Sequence, residues 1–387
     1  MSEYQYVVFQ AVDGPLNDEQ LEFARRQSTR AEVSRWSLSS EYHYSSFRGD
    51  VHGLLRKGYD VYLQYTSYGS REIKLRLPGG MPMAESVWSK YVDGQQLEWK
   101  SDAEGSGGIL SLHPFHETGN FDAVQEKQPL LDALIAVRGR LMIGDLRALY
   151  LLWLCAADDD YNDPAAMIEP PVPHGIAETA TYGSEILAFF GLDPLLLVAA
   201  GQGVKAAPMH EFQQHAARWV NALGEQPAKD MLLRFLIGDT AGEKVRLLAE
   251  ICDSQSPGGW PTNDKQRTLG ELLQTAAALR DEENAKQVRK EQAKAQREAE
   301  MADRKRADRM QEMLKDRGKW LRESERLVAA GGTHNYKAAA EILCDLREAV
   351  GGEEGAEITR RQAADLAKKH PTLNHLKSSL RKRGLLG

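Results

Sequence analysis

His113-Pro114-Phe115-His116-Glu117 puts two imidazoles and a carboxylate within five residues, the densest grouping of metal-ligand side chains in the chain. Three such ligands around zinc, with one position left open for water, make a hydrolytic centre. Pro114 prevents a helix that would align both rings, and a third ligand must come from elsewhere. The segment therefore reads as a loop at a strand end, with His113 and His116 as its metal candidates and no bound metal expected. Asp158-Asp159-Asp160 with Asp163 lacks the alternating Asp-x-Asp-x-Asp-Gly order of a calcium loop and reads as solvated. Tyr42-His43-Tyr44, beside Arg48 and Asp50, sets a titratable ring among aromatics; cross-strand packing explains it without a nucleophile or an orienting carboxylate. Gly105-Ser106-Gly107-Gly108 is followed by neither the lysine nor the helix start of a phosphate loop, and no Gly-x-Ser-x-Gly stands anywhere. No catalytic residue and no cofactor are expected, and the enzyme reading is disfavoured.

Two basic clusters offer a different chemistry. Arg304-Lys305-Arg306 with Arg309 lies among Asp303, Asp308 and Glu312, whereas Arg381-Lys382-Arg383 stands behind Lys368, Lys369 and Lys377 with fewer acids nearby. On helices such groups contact phosphates without reading sequence, with an affinity that falls as salt rises. The charge of the whole chain is −7, but residues 265–387 hold 27 Lys and Arg against 20 Asp and Glu, a net of +7, while the rest carries −14. An acidic body and a basic arm point to an anionic partner for the arm, or to contact between the two.

The elements that must position these groups follow from length and pattern. At 387 residues the chain has room for two or three folded units. Its 42% hydrophobic and 27% charged residues and mean hydropathy of −0.49 describe a chain with ordinary cores. No apolar run nears the roughly 20 residues that cross a bilayer, so no membrane partner is expected. Cys155, Cys252 and Cys344 are too few and too far apart for a disulfide framework. With no secretory signal visible at Met1-Ser2-Glu3-Tyr4, a cytoplasmic location is expected.

Tyr6 to Ala11, Ser37 to Phe47, Val61 to Tyr65, Ile73 to Leu77, Leu97 to Trp99 and Ile109 to Leu112 read as strands. Between the first three, Asn17 with Gln20 has capping-box spacing and Asp50 can start a second helix. This predicts an α+β unit over 1–122, helices on one side of a largely antiparallel sheet. From 123 to 256 the period turns helical: Leu146, Leu149, Tyr150, Trp153 and Leu154 share one face behind Asp145, and Phe212 to Leu223, Met231 to Ile237 and Val245 to Cys252 follow. That stretch reads as an all-helical bundle, closed by a linker over 257–264. Residues 265–330 lack proline and predict a long charged helix. Its heptad seam Val288, Ala295, Ala302 runs into Arg309, so a tight coiled coil is not specified, although Met310 to Val328 restores an apolar stripe suited to self-association. A small helical module with a basic tail over 331–387 completes the layout.

Phe9-Gln10-Ala11-Val12-Asp13 with Pro15-Leu16, Gly144-Asp145-Leu146-Arg147-Ala148-Leu149-Tyr150-Leu151 and Glu169-Pro170-Pro171-Val172-Pro173 together resemble a family of uncharacterised bacterial cytoplasmic proteins. The resemblance covers most of the chain and implies the same layout, with no activity or catalytic residues to carry over. The terminal segment around Tyr336, Ala339, Leu343 and Leu346-Arg347 is similar to one in bacterial proteins with a SWIM zinc finger, whose Cys and His pattern is missing here. The expectation is a non-enzymatic interaction protein with a protein partner. A nucleic-acid-associated protein, binding DNA or RNA through the basic arm, is the alternative, and a metal-dependent enzyme on His113 and His116 a third reading.

Overall fold

The structure, a computed structural model, describes residues 4–105, 107–115, 127–157, 163–207, 211–237, 243–244, 247–248, 250–251 and 260–387, the side chains at 211–213, 215 and 237 excepted. The chain forms two compact units, Met1–Glu282 and Glu283–Gly387, divided within one long helix.

The first unit is built on a seven-stranded antiparallel sheet in the order β2-β3-β1-β4-β5-β7-β6, from β1 (Tyr4–Gln10), β2 (Glu32–Val33), β3 (Ser37–His43), β4 (Val61–Thr66), β5 (Arg71–Leu77), β6 (Leu97–Ser101) and β7 (Gly108–Leu112). Side chains alternate across it. Val7, Phe9, Leu38, Tyr42 and Tyr62 form one core with Leu16, Ala24, Leu54 and Leu55, from the Asp18–Gln27 and Val51–Lys57 helices and the chain leading to them. Tyr6, Val8, Leu63, Ile73 and Leu75 face the opposite way, into a core shared with Leu134, Val137, Leu149 and Leu187 of the following helices. Helices thus cover both faces, where the sequence pattern predicted one. The helices after residue 127 share the sheet's core instead of closing a bundle around a core of their own. Strands buried on both faces read as continuous apolar runs, which is what Tyr6-Val7-Val8-Phe9 is.

Three caps seen in the sequence set the starts of helices. Asn17 and Gln20 exchange both bonds of a capping box, Asp50 accepts from the Gly53 amide at 2.8 Å, and Asp145 accepts from the Arg147 amide at 3.0 Å. Each is worth about 1 kcal/mol. The Asp145 helix, Leu146–Ala156, is buried along its whole length and not only on the face its spacing marked. It sits at the centre of the layer, flanked by the helices Lys127–Met142 and Ala180–Phe189. Gly175 is the one residue type its site admits: φ is +74°, and a Cβ there would meet the Ala207 backbone nitrogen at 2.6 Å.

Every residue from 281 to 309 of the Leu269–Lys315 helix, most of them in the second unit, is exposed, the solvated spacer that its composition predicts. The helix does not continue to residue 330. Asp316 leaves helical geometry, accepts from the Lys319 amide at 2.9 Å and starts a new helix, Arg317–Ala330. The apolar stripe beyond Met310 packs against the chain's own Thr333–Val350 helix: Met313 shares a core with Ile342 and Leu346, and Val328 shares one with Ala339 and Leu343. These side chains, the ones suited to self-association, already have a partner, although Leu314 remains exposed. Gly351, at φ +69°, joins Thr333–Val350 to Gly352–Lys369 in a one-residue turn, and Asn374–Lys382 closes the unit by burying Leu376 and Leu380.

Candidate nucleic-acid interface

Ten cations were marked by the sequence as phosphate contacts, and the fold divides them. Arg306 holds Glu348 through two bonds of 2.8 and 2.7 Å. Arg309 pairs with Asp345 at 3.0 Å, Lys369 with Glu325 at 3.1 Å and Arg383 with Glu341 at 3.1 Å. Lys377 donates to the Pro371 carbonyl at 2.7 Å, and Arg381 makes a long 3.3 Å contact with the Gly387 carbonyl. The four ion pairs tie separate elements together within the unit, at most about 1 kcal/mol each, and the two carbonyl contacts are local. Arg304, Lys305, Lys368 and Lys382 are exposed and have no partner among the described residues.

Two further cations belong with them. Arg360 and Arg361 are exposed and also without a partner among the described residues. Thr359, Ala363 and Leu366 turn inward from the same helix, and that places Arg361 and Lys368 two turns apart on the outward side, about 10 Å along the axis. A search for runs of basic residues passes over Arg360-Arg361; the inward spacing of the neighbouring apolar residues is the signal that finds them. Residues 360–387 contain eight Lys and Arg against a single acid, Asp365, so the excess of the basic arm is concentrated there. Part of this follows from helix electrostatics, because Glu353 and Glu354 occupy the first turn of the helix and Lys368 and Lys369 the last. Arg360 and Arg361 lie mid-helix, where that argument does not reach.

The histidines of the first unit are arranged otherwise. His113 directly follows β7; its amide donates to the Gln96 carbonyl at 2.8 Å, and its Nε2 lies 3.4 Å from Ser70 Oγ. His116 and the acidic run 158–160 lie outside the described residues. Among the described residues no three His, Cys, Asp or Glu side chains gather as a metal site. His43 ends β3 and packs on Tyr4 with ring centroids 5.3 Å apart, beside the Tyr6–Tyr65 contact at 5.2 Å. This is the cross-strand aromatic arrangement.

Buried charges of the first unit were not visible in the sequence, since their partners lie far apart in it. Arg138 binds Asp13, reaches Asp60 at 2.7 Å and donates from Nε to the Arg76 carbonyl at 2.7 Å; Lys244 adds a bond to Asp13 at 2.9 Å. Burial pushes the Asp13 carboxyl up, but Arg138 and Lys244 outweigh it and hold it below the ordinary value. Burial raises Asp60 despite Arg138. A second cluster joins the Arg267 guanidinium to Glu169 at 2.7 and 2.8 Å, with the Tyr150 hydroxyl donating to the same carboxylate. Both clusters fasten elements to one another, and their carboxylates are engaged by guanidinium groups. No protein-family model, no curated protein and no solved structure matches this chain.

Proposed function

We propose that this is a non-enzymatic interaction protein whose C-terminal unit binds nucleic acid through its phosphates. The carrying observation is the run 360–387, with eight cations to one acid, in which Arg360, Arg361, Lys368 and Lys382 are exposed and unpaired among the described residues. Exposed cations that hold no internal acid can neutralise phosphates and release their counterions without first breaking a contact. Arg304 and Lys305 belong to this reading too. Arg306, Arg309, Lys369, Lys377, Arg381 and Arg383 belong to it less directly, because each must loosen an internal contact first. Binding by the purified full chain to a labelled oligonucleotide at low salt, compared with an Arg360→Ala, Arg361→Ala, Lys368→Ala, Lys382→Ala variant, tests it. Retention by the parent and its loss in the variant support the reading; no retention by either overturns it.

A second reading, a protein partner on the first unit, draws on Leu232, Leu233 and Leu236 of the Glu225–Ile237 helix, which are 60, 54 and 73% exposed. A partner held there co-purifies after nuclease treatment and is lost with Leu232→Glu and Leu236→Glu. Among the described residues no helix is long and apolar enough to cross a membrane. A cytoplasmic location fits a partner that is nucleic acid.

A further inference from the structure

We infer that the Asn374–Lys382 helix enters the major groove of double-stranded DNA and reads base edges there; this rests on the phosphate-binding reading above. The Gly352–Lys369 helix, a connection over 370–373 and the Asn374–Lys382 helix form two helices joined by a short turn, and the Thr333–Val350 helix packs against both. Two helices so joined, with a third bracing them, are the frame of helix-turn-helix readers, in which the second helix of the pair enters the groove. Leu376 and Leu380 face the core together with Leu373 and Leu385. That leaves Asn374, His375, Ser378, Arg381 and Lys382 on the exposed side. With its side chains an α-helix is about 10–12 Å across, matched to a groove about 12 Å wide, and at about 1.5 Å per residue this one runs roughly 14 Å along it.

The side chains on this face suit base edges. Asn pairs with adenine through two bonds, Ser accepts or donates to several bases, and Arg or Lys pairs with guanine or reaches phosphate. Arg361 and Lys368 on the preceding helix supply backbone contacts that fix register without reading sequence. Single strands are held differently, by bases stacked on exposed aromatic rings. In residues 333–387 Tyr336 is buried and the only other rings are the small imidazoles of His334, His370 and His375, so no Tyr, Trp or Phe platform is exposed. Duplex RNA is excluded by shape, because its major groove is too deep and narrow for a helix. Duplex DNA is the remaining occupant whose charge and dimensions fit this face.

The test uses the full chain and fluorescence anisotropy with a DNA duplex of about 20 base pairs, its separate strands, and the RNA duplex of the same sequence, followed by selection from a randomised DNA duplex pool. The expected result is tighter binding to duplex DNA than to either alternative, by roughly 10-fold or more, and an enriched motif. Asn374→Ala with His375→Ala and Ser378→Ala abolishes the motif while non-specific affinity changes about 2-fold or less, since phosphate contacts carry that part. All three positions are exposed, and an unchanged circular dichroism spectrum confirms folding. Equal or tighter binding of single strands or duplex RNA, no enriched motif, or a motif that survives the triple substitution overturns the inference and leaves phosphate binding standing. No binding of any nucleic acid overturns both.

Discussion

Replacing Glu169 by alanine removes the one carboxylate that the Tyr150 hydroxyl and the Arg267 guanidinium share. Glu169 and Tyr150 are buried, and Arg267 keeps only 14% of its side chain exposed. The Glu169 amide also donates to the Arg267 carbonyl at 2.8 Å, so the cluster fastens the start of the Leu269–Lys315 helix to the segment carrying Glu169. Breaking a buried ion pair from one side leaves the other charge uncompensated and costs about 3–5 kcal/mol. The orphaned Tyr150 hydroxyl lies within that figure, as water entering the vacated space offsets part of its loss. Arg267→Met alone leaves a buried carboxylate held only by Tyr150 and costs a similar amount. Glu169→Ala with Arg267→Met removes both charges, so it costs clearly less than the two single changes together; a coupling of about 2 kcal/mol or more is expected. Urea unfolding followed by circular dichroism and tryptophan fluorescence reads all three. With a slope near 3 kcal/mol/M, Glu169→Ala lowers the midpoint of the first unit's transition by about 1 M or more. The transition of the second unit should stay in place. A loss under about 1 kcal/mol for Glu169→Ala, or additive single and double changes, would refute the claim that this cluster acts as one unit.

Two other predictions follow from buried side chains. Cys155 is fully buried and burial pushes its thiol well up, whereas Cys344 is partly exposed; maleimide labelling of native protein, read by peptide mass spectrometry, should therefore mark Cys344 and spare Cys155 until the chain unfolds. His52 titrates below its ordinary value, first because of burial and then because Lys74, Arg56 and Lys100 are near. The unfolded chain thus binds a proton more readily than the folded one: stability from neutral His52 is complete above about pH 6.5 and is lost as pH falls from there toward the lower folded value. His52→Gln should flatten that slope between about pH 7 and pH 5.5, and an unchanged slope would show that His52 is not its source.

What the sequence made legible was local. Asn17 with Gln20, Asp50 and Asp145 declare helix starts through side chains that bond within three residues, and the exposed stretch 281–309 declares itself by composition. The burial of both sheet faces was hidden, because a short apolar run such as Tyr6 to Phe9 fits one covered face or two. The break at Asp316 was hidden by helix-forming neighbours on either side; only its side-chain bond to the Lys319 amide reveals the cap. At the candidate interface, basic residues could be found but their partners could not. Arg306 and Glu348 are separated by 42 positions, and their pairing depends on the chain reversing at Gly331-Gly332. Arg360 and Arg361 are set on the exposed side by the inward turn of Thr359 and Ala363, which only the packed helix shows. The buried Arg138 and Arg267 networks are longer-range still, spanning 125 and 98 positions.

The central claim, that the C-terminal unit neutralises phosphates with Arg360, Arg361, Lys368 and Lys382, is tested most directly by the salt dependence of binding by the full chain. For four to five contacts on duplex DNA, a plot of log affinity against log salt has a slope of about −3.6 to −4.5, or roughly 10²- to 10³-fold between 50 and 200 mM. Replacing two of the four cations by alanine should reduce the slope by about 1.8. A slope near zero, or one that the substitutions leave unchanged, would contradict the account.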